Sequence, residues 1–232
     1  MMNRRNFLAA AAASGLQAAD SKSKLLLPSD DADELHFRLM WYSPVAALDP
    51  GTYHLRIGGM VEKPQQLSVA DLRRLPQVSQ NSRMKCVQCW SARTEWGGFR
   101  FAPLLDLVKP FKGAKAVRFD CADKWFDYLS IEDMLAPRVL LALDMAGQPL
   151  ADRHGAPLRL IDPGRYGYKS CKLIQSITFV AEGKGSMACD LGPYYTPGGE
   201  IQSGYDHPLD LATSANGARE KRKIKGGEIT EY

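Results

Sequence analysis

Ser82-Arg-Met-Lys-Cys-Val-Gln-Cys-Trp-Ser91 places two cysteines, Cys86 and Cys89, among the basic side chains Arg83, Lys85 and Arg93 and the indoles Trp90 and Trp96. A thiolate is a soft ligand that needs nearby positive charge or a metal to stay deprotonated at neutral pH. Three chemistries suit such a pair: half of a zinc site, a redox dithiol, or one thiolate bound to a group supplied from outside. A structural zinc site needs a second ligand pair at short spacing. Cys121, Cys171 and Cys189 stand singly, and His36, His54, His154 and His207 are scattered. A thioredoxin-like dithiol needs a strand before the pair and a helix after it, and no helical period follows Cys89. A single thiolate held by an external group, or a pair without chemistry, remains.

A second stretch carries the complementary charge. His154-Gly-Ala-Pro-Leu-Arg159 is followed by Pro163-Gly-Arg-Tyr-Gly-Tyr-Lys-Ser-Cys-Lys172. Gly155, Gly164 and Gly167 allow close backbone approach. Arg159, Arg165, Lys169 and Lys172, with the Ser170 hydroxyl, are the donors that an anion such as a phosphate requires. The same composition also suits a glycine-rich turn with solvated lysines.

Around these stretches the chain reads as short strands and shorter helices. Tyr53-His-Leu-Arg-Ile-Gly58 alternates with the period of a half-buried strand, and Gly58-Gly59 and Lys63-Pro64 punctuate a hairpin. Ser68-Val-Ala-Asp71 has the spacing of a capping box opening a helix that stops at Pro76. Phe101 to Val108 reads as a helix with proline in its first turn. Ala116 to Cys121, Trp125 to Ile131, Val139 to Asp144, Leu158 to Ile161 and Leu173 to Val180 read as strands. A short helix is expected from Ser130 to Pro137. From Gly183 to Tyr232, glycine and proline dominate and the pattern is that of an extended, loop-rich arm. The fold class is therefore α+β, mixed β-sheets with short interspersed helices.

The motifs taken together resemble the sulfite oxidase family of molybdopterin-dependent oxidoreductases. The resemblance rests on Cys86 with Trp90-Ser91, Trp96-x-Gly-Phe, His154-Gly-Ala-Pro-Leu-Arg159 and Tyr166-Gly-Tyr-Lys-Ser-x-Lys172, in family order. It implies a molybdopterin-binding domain over residues 36–182 with molybdenum-molybdopterin as cofactor. Cys86 matches the cysteine that ligates the metal and is a catalytic position. Cys89 falls where the family has a small residue. His154 and Arg159 match pterin-contacting positions, and relatives also carry asparagine at the former. Ser170, Cys171 and Lys172 match the segment that holds the pterin phosphate. Cys121 falls where relatives have a cofactor-contacting hydroxyl, and Trp41, Tyr42 and Ser43 match a loop over the cofactor. Arg93 offers positive charge to an oxyanion, although Ser91-Ala-Arg-Thr-Glu95 departs from the run that sulfite oxidases carry. The implied reaction is oxygen-atom transfer on sulfite, a sulfoxide or a related small oxo substrate. No haem-attachment motif occurs, since Trp90 follows Cys89. Electrons are expected to pass to or from a separate partner, a membrane haem protein or a soluble cytochrome. A cofactor-free binding module and a thiol redox protein on the same scaffold are the alternatives.

With 232 residues, 45% of them hydrophobic, the chain can bury a substantial core. The net charge of +4 comes from 30 basic and 26 acidic side chains. The one dense basic run, Arg219 to Lys225, reads as a solvated tail and not as a nucleic-acid-binding face. At the N-terminus, Met2-Asn3-Arg4-Arg5-Asn6-Phe7-Leu8 precedes an alanine-rich run. That run is shorter than the ~20 residues of a membrane span, so residues 1–19 read as a twin-arginine export signal and the protein as periplasmic. Residues 20–35 are polar and are expected to form a flexible linker.

Overall fold

The computed structural model describes residues 25–26, 32–38, 42–86, 91–191 and 195–201, and the backbone of two strand pieces at 212–213 and 219–220. The export signal, Trp41, Cys89 and Trp90 lie outside the described residues. In chain order the elements are β1 (Leu25–Leu26), β2 (Val45–Ala46), β3 (His54–Gly59), β4 (Gln65–Ser68), α1 (Val69–Arg74), β5 (Gln77–Lys85) and β6 (Ser91–Phe99). There follow α2 (Ala102–Val108), β7 (Ala116–Cys121), β8 (Phe126–Ser130), α3 (Ile131–Met134), β9 (Leu140–Met145), β10 (Gln148–Pro149), β11 (Arg159–Ile161) and β12 (Ile174–Val180). Single helical turns occur at Asp152–His154, Gly167–Lys169 and Met187–Leu191. No helix among the described residues is long and apolar enough to cross a membrane.

Two five-stranded sheets form the body. One runs β4-β3-β12-β7-β8, with β3 and β12 parallel and every other pair antiparallel. The other runs β10-β9-β6-β5, with β11 added to β9, and is antiparallel throughout. The mixed-sheet, short-helix class expected from the sequence is the one observed. The capping box also forms: the Asp71 amide donates to Ser68 Oγ, and Asp71 Oδ2 accepts from the Ser68 amide.

The main core lies between the sheets. Leu55 and Ile57 of β3, Val117 and Phe119 of β7, and Ile177 and Phe179 of β12 meet Leu141 and Leu143 of β9 and Leu160 of β11. Phe99, Phe101, Leu104 and Val108 close it from the side of α2. β9 is buried on both faces, which explains its unbroken apolar run. Its other residues, Leu140 and Ala142, join Met84, Trp96, Leu150, Ala156, Ile161 and Phe37 in a smaller core on the far side of the second sheet. Phe37, Met84 and Trp96 of this second core lie against His154 and Arg159.

Two segments are tied down more firmly than their composition suggests. Leu25–Leu26 pairs with Val45–Ala46, and Leu26 is buried, so the expected linker over 20–35 packs at that point. The arm expected from Gly183 is knitted to the body at its start. Gly199 O accepts from the Tyr166 amide (2.8 Å), Gly198 O from Arg165 Nε (2.9 Å) and Pro197 O from Lys169 Nζ (2.9 Å).

Candidate functional site

Cys86 follows directly on the last residue of β5, a nine-residue strand paired along its length with β6. The hairpin is rigid because Trp96 is wholly buried beneath it, its Nε1–H donating to Ser82 O (3.3 Å). Lys85 forms a parallel bridge to Tyr166. The cysteine stretch and the glycine-rich stretch, eighty residues apart in the chain, are thereby adjacent. Gly167 runs close to β5 there: a Cβ on it would stand 3.3 Å from Met84 Cγ and 3.4 Å from Lys85 O.

The four cations expected to cradle an anion separate into two pairs with different duties. Arg165 binds Asp162 (2.8 Å) and Asp133 (2.8 Å) and reaches Glu200 at 3.9 Å. Lys169, 1% exposed, donates to Asp127 Oδ1 (2.5 Å), Tyr128 O and Pro197 O. Carboxylates and carbonyls occupy these two, and they pin the arm to the body. The Ser170 hydroxyl accepts from the Asp162 amide (3.1 Å). Ser170 thus shapes the turn that carries Cys171 and Lys172.

Arg159 and Lys172 are the other pair. Arg159 is 3% exposed, and its guanidinium lies over the Trp96 ring at 5.0 Å. One terminal nitrogen donates to His154 O (2.9 Å) and the other to the Met84 thioether (3.5 Å). Nε has no hydrogen-bond partner. No carboxylate is among its partners in the described residues. Burial accordingly pushes its pKa down to about 9, although the group stays charged at neutral pH. Lys172 is pushed down to about 8, first by burial and then by Arg159, against the opposing pull of Asp123, Cys121 and Cys86. A buried guanidinium with no carboxylate partner is costly unless an anion joins it, and Lys172 beside it adds to the positive charge.

Of the remaining expected residues, His154, Cys121, Cys171, Cys86 and Tyr42 lie near this pair, and Arg93 does not. His154 ends a helical turn and is 8% exposed; its Nε2 lies 2.8 Å from Asp33 Oδ2. Burial, reinforced by Arg159, lowers its pKa to about 4, so the ring is neutral and Nε2–H donates to the carboxylate. Cys121 and Cys171 are both buried, with a side-chain hydrogen bond between them. Burial, then that bond, raises the Cys121 thiol well above its usual range and keeps it protonated. Cys86 is half-buried. The Tyr42 amide donates to Asp123 Oδ2 (3.2 Å), and Ser43 Oγ donates to Asp123 O (2.7 Å). The loop at 42–43 is therefore tied to Asp123, two residues after Cys121, and the Asp123 charge also acts on Lys172. Arg93 is exposed on β6, directly opposite Arg83 of β5, with a long hydrogen bond to Asn81 (3.4 Å). It stands on the hairpin rim and not inside the buried cluster.

Two members of the site escaped the reading of the sequence. Asp123 is 3% exposed and joins the 42–43 loop to the β7–β8 turn. Asp33 buttresses His154 from a segment read as linker. Neither sits in a recognisable local pattern, and only the folded chain brings them in.

These residues fit a pterin phosphate. The orphaned Nε of Arg159, the adjacent Lys172 and the close glycine backbone at Gly155 form a polar recess that wants an anion. The half-buried thiol of Cys86 lies close enough to Lys172 to act on its charge. A soft metal ligand beside an anion cradle is what a molybdopterin site requires.

The match to known proteins agrees. Residues 42–188 fit the oxidoreductase molybdopterin binding domain. The chain belongs to the sulfite oxidase family of molybdopterin-binding oxidoreductases. It is 36% identical over 133 residues to a putative protein-methionine-sulfoxide reductase subunit YedZ1 of Azospira oryzae, covering 57% of this chain and 51% of that one. It is 33% identical over 147 residues to the protein-methionine-sulfoxide reductase catalytic subunit MsrP of Campylobacter jejuni, covering 56% and 50%. The MsrP catalytic subunit of Gluconobacter oxydans is 29% identical over 214 residues, covering 76% and 69%. The chain thus spans about half the length of the first two relatives. The sulfane dehydrogenase SoxCD of Paracoccus pantotrophus shares the fold, with a TM-score of 0.56 at 23% identity over 60% of this chain and 41% of that one.

Proposed function

We propose that this protein reduces a sulfoxide, with protein-bound methionine sulfoxide as the leading substrate, at a mononuclear molybdenum held by molybdopterin and the Cys86 thiolate. The observation that carries the reading is the buried Arg159, with an unpartnered Nε and no carboxylate partner among the described residues, beside the half-buried Lys172, on whose charge Cys86 also acts. The cofactor, when bound, supplies oxygen-atom transfer coupled to a two-electron change at the metal. Overall, a sulfoxide, two protons and two electrons give a thioether and water.

The chain's own residues bind, orient and exclude water. Arg159 and Lys172 hold the phosphate by charge-assisted bonds. Cys86 donates a thiolate sulfur, with Lys172 beside it favouring the ionised form. Cys121, buried and kept protonated by that burial, packs against the buried Cys171 without ionising. Tyr42 and Ser43 hold Asp123, whose charge acts on Lys172.

The twin-arginine segment supports a periplasmic site of action, and the lack of a haem-attachment motif at Cys86–Cys89 supports a separate electron partner, a membrane haem protein or soluble cytochrome. The names of the relatives support the sulfoxide over sulfite. The test is protein made in a molybdopterin-competent host, assayed with a chemical dye couple against sulfite, free methionine sulfoxide and an oxidised protein. Turnover of the oxidised protein with stoichiometric molybdenum is expected. Turnover of sulfite alone would overturn the substrate, and full activity in metal-free protein would overturn the chemistry. Fractionation of Arg4→Lys plus Arg5→Lys cells tests export: undiminished export contradicts the twin-arginine reading.

A further inference from the structure

The domain that matches the family begins at residue 42, yet the second core is closed by residues that precede it. Residues 33–37 make one compact turn against the site. Asp33 Oδ1 accepts from the Leu35 amide (2.9 Å) and the Phe37 amide (2.8 Å). The Asp33 amide donates to Phe37 O, and the His36 amide to Asp33 O, both at 2.9 Å. His36 is held at φ +67, a backbone conformation its Cβ disfavours and these bonds impose. Phe37, 2% exposed, stands edge-on to Trp96 (5.6 Å) and to His154 (5.9 Å). Trp96 in turn carries the Arg159 guanidinium.

The other carboxylate oxygen is the informative one. Asp33 Oδ2 lies 2.8 Å from His154 Nε2, and both side chains are at most 10% exposed. The ring is neutral at pH 7, because burial and Arg159 outweigh the pull of the Asp33 charge. A carboxylate accepts only, so the single ring proton must sit on Nε2. The other ring nitrogen, Nδ1, is then an acceptor.

We propose that Asp33 is a positioning residue: it fixes His154 as the Nε2–H tautomer, so that Nδ1 accepts a hydrogen bond from an N–H of the bound pterin. The inference rests on the molybdopterin reading above and adds to it a determinant outside the matched domain. A pterin carries several ring and exocyclic N–H donors, which suits an acceptor at this position. Ligand-contacting histidines in metal sites are commonly oriented in this way by a carboxylate on the second nitrogen.

Asp33→Asn separates orientation from packing, because the two side chains share one shape. The amide oxygen keeps the two bonds to the Leu35 and Phe37 amides, and the NH2 then faces Nε2. It donates there, which moves the ring proton to Nδ1 and turns an acceptor into a donor. The experiment uses the full chain from a molybdopterin-competent host, with ¹⁵N spectra of the His154 ring and pterin content after desalting. The wild-type protein shows Nε2–H, and Asp33→Asn shows Nδ1–H with about tenfold or greater loss of retained pterin. In a His154→Asn background, Asp33→Asn causes no further loss. Wild-type protein with its proton on Nδ1 overturns the proposal. So does a loss that is equally large in the His154→Asn background, because the turn would then act only by packing. Wild-type protein that binds no pterin contradicts the functional reading instead, and the ring spectra still decide the tautomer.

Discussion

Gly155 presses its backbone against Lys172 so closely that a Cβ at position 155 would lie 2.7 Å from Lys172 Cβ. Its φ of +98 is in the left-handed region as well. Two stretches that each carry one wall of the anion cradle are therefore in contact through a residue that has no side chain.

Gly155→Ala should consequently be harmful on two counts. A non-glycine residue in the left-handed region costs about 1–2 kcal/mol, and forcing an atom into a packed contact costs about 1–3 kcal/mol more. Urea unfolding is expected to show a loss of at least about 2 kcal/mol. Cofactor content should fall with it, because Lys172 is the residue displaced. A variant as stable and as fully loaded as the wild type contradicts the close contact.

Lys172 sets a pH limit on anion binding. Its pKa of about 8 in the empty site comes from burial and Arg159, opposed by Asp123, Cys121 and Cys86. An anion binds the charged form, and so raises that pKa. Affinity is thus full below about pH 8 and declines as pH rises through the window between the empty and loaded values. Lys172→Ala should remove this dependence and cost about 1.5–3 kcal/mol, roughly ten- to a hundredfold in affinity. Pterin retention measured from pH 6 to 10 in both proteins is the check. A decline of equal slope in the variant moves the effect to another group.

Lys169 should behave quite differently from Lys172, three residues away. It forms a buried pair with Asp127, and burial raises the Asp127 carboxyl against the pull of Lys169. Removing one partner of a buried pair costs about 3–5 kcal/mol. Lys169→Met is expected to lower the urea midpoint strongly and to loosen the arm at Pro197, whose carbonyl Lys169 also holds. Proteolysis near residues 195–200 reports the loosening. An intact arm and normal stability would show that the pair carries no structural load.

Much of the fold was legible because local patterns and tertiary burial agree. The capping box at Ser68–Asp71, the serine-capped turn of α3 and the apolar run of β9 all form at the expected positions. The β5–β6 hairpin was not legible, although it carries Cys86. Two inward residues of β5 are Gln80 and Ser82, buried but polar. Gln80 donates to Arg138 O and Ser82 O accepts from Trp96, so the period-2 alternation of apolar side chains is absent. The site shows the same division. Cys86, His154, Arg159 and Lys172 carry motif spacing, and they come together. Arg165 and Lys169 have identical charge, but they are taken by Asp133, Asp162 and Asp127, which no local spacing reveals. Asp33 and Asp123 enter only through long-range contacts.

The central claim is that Cys86 is the protein ligand to the metal, and paired variants test it most directly. Cys86→Ser replaces a soft thiolate with a poorly ionised hydroxyl, whereas Cys89→Ala and Cys121→Ser leave that sulfur in place. The measurement is the visible absorption and paramagnetic-resonance spectrum of each protein, with molybdenum and pterin content determined on the same sample. The account predicts that Cys86→Ser alone loses the sulfur-to-metal band and turnover, while pterin stays bound through Arg159 and Lys172. A Cys86→Ser protein that keeps the band, or a Cys89→Ala protein that loses it, contradicts the account.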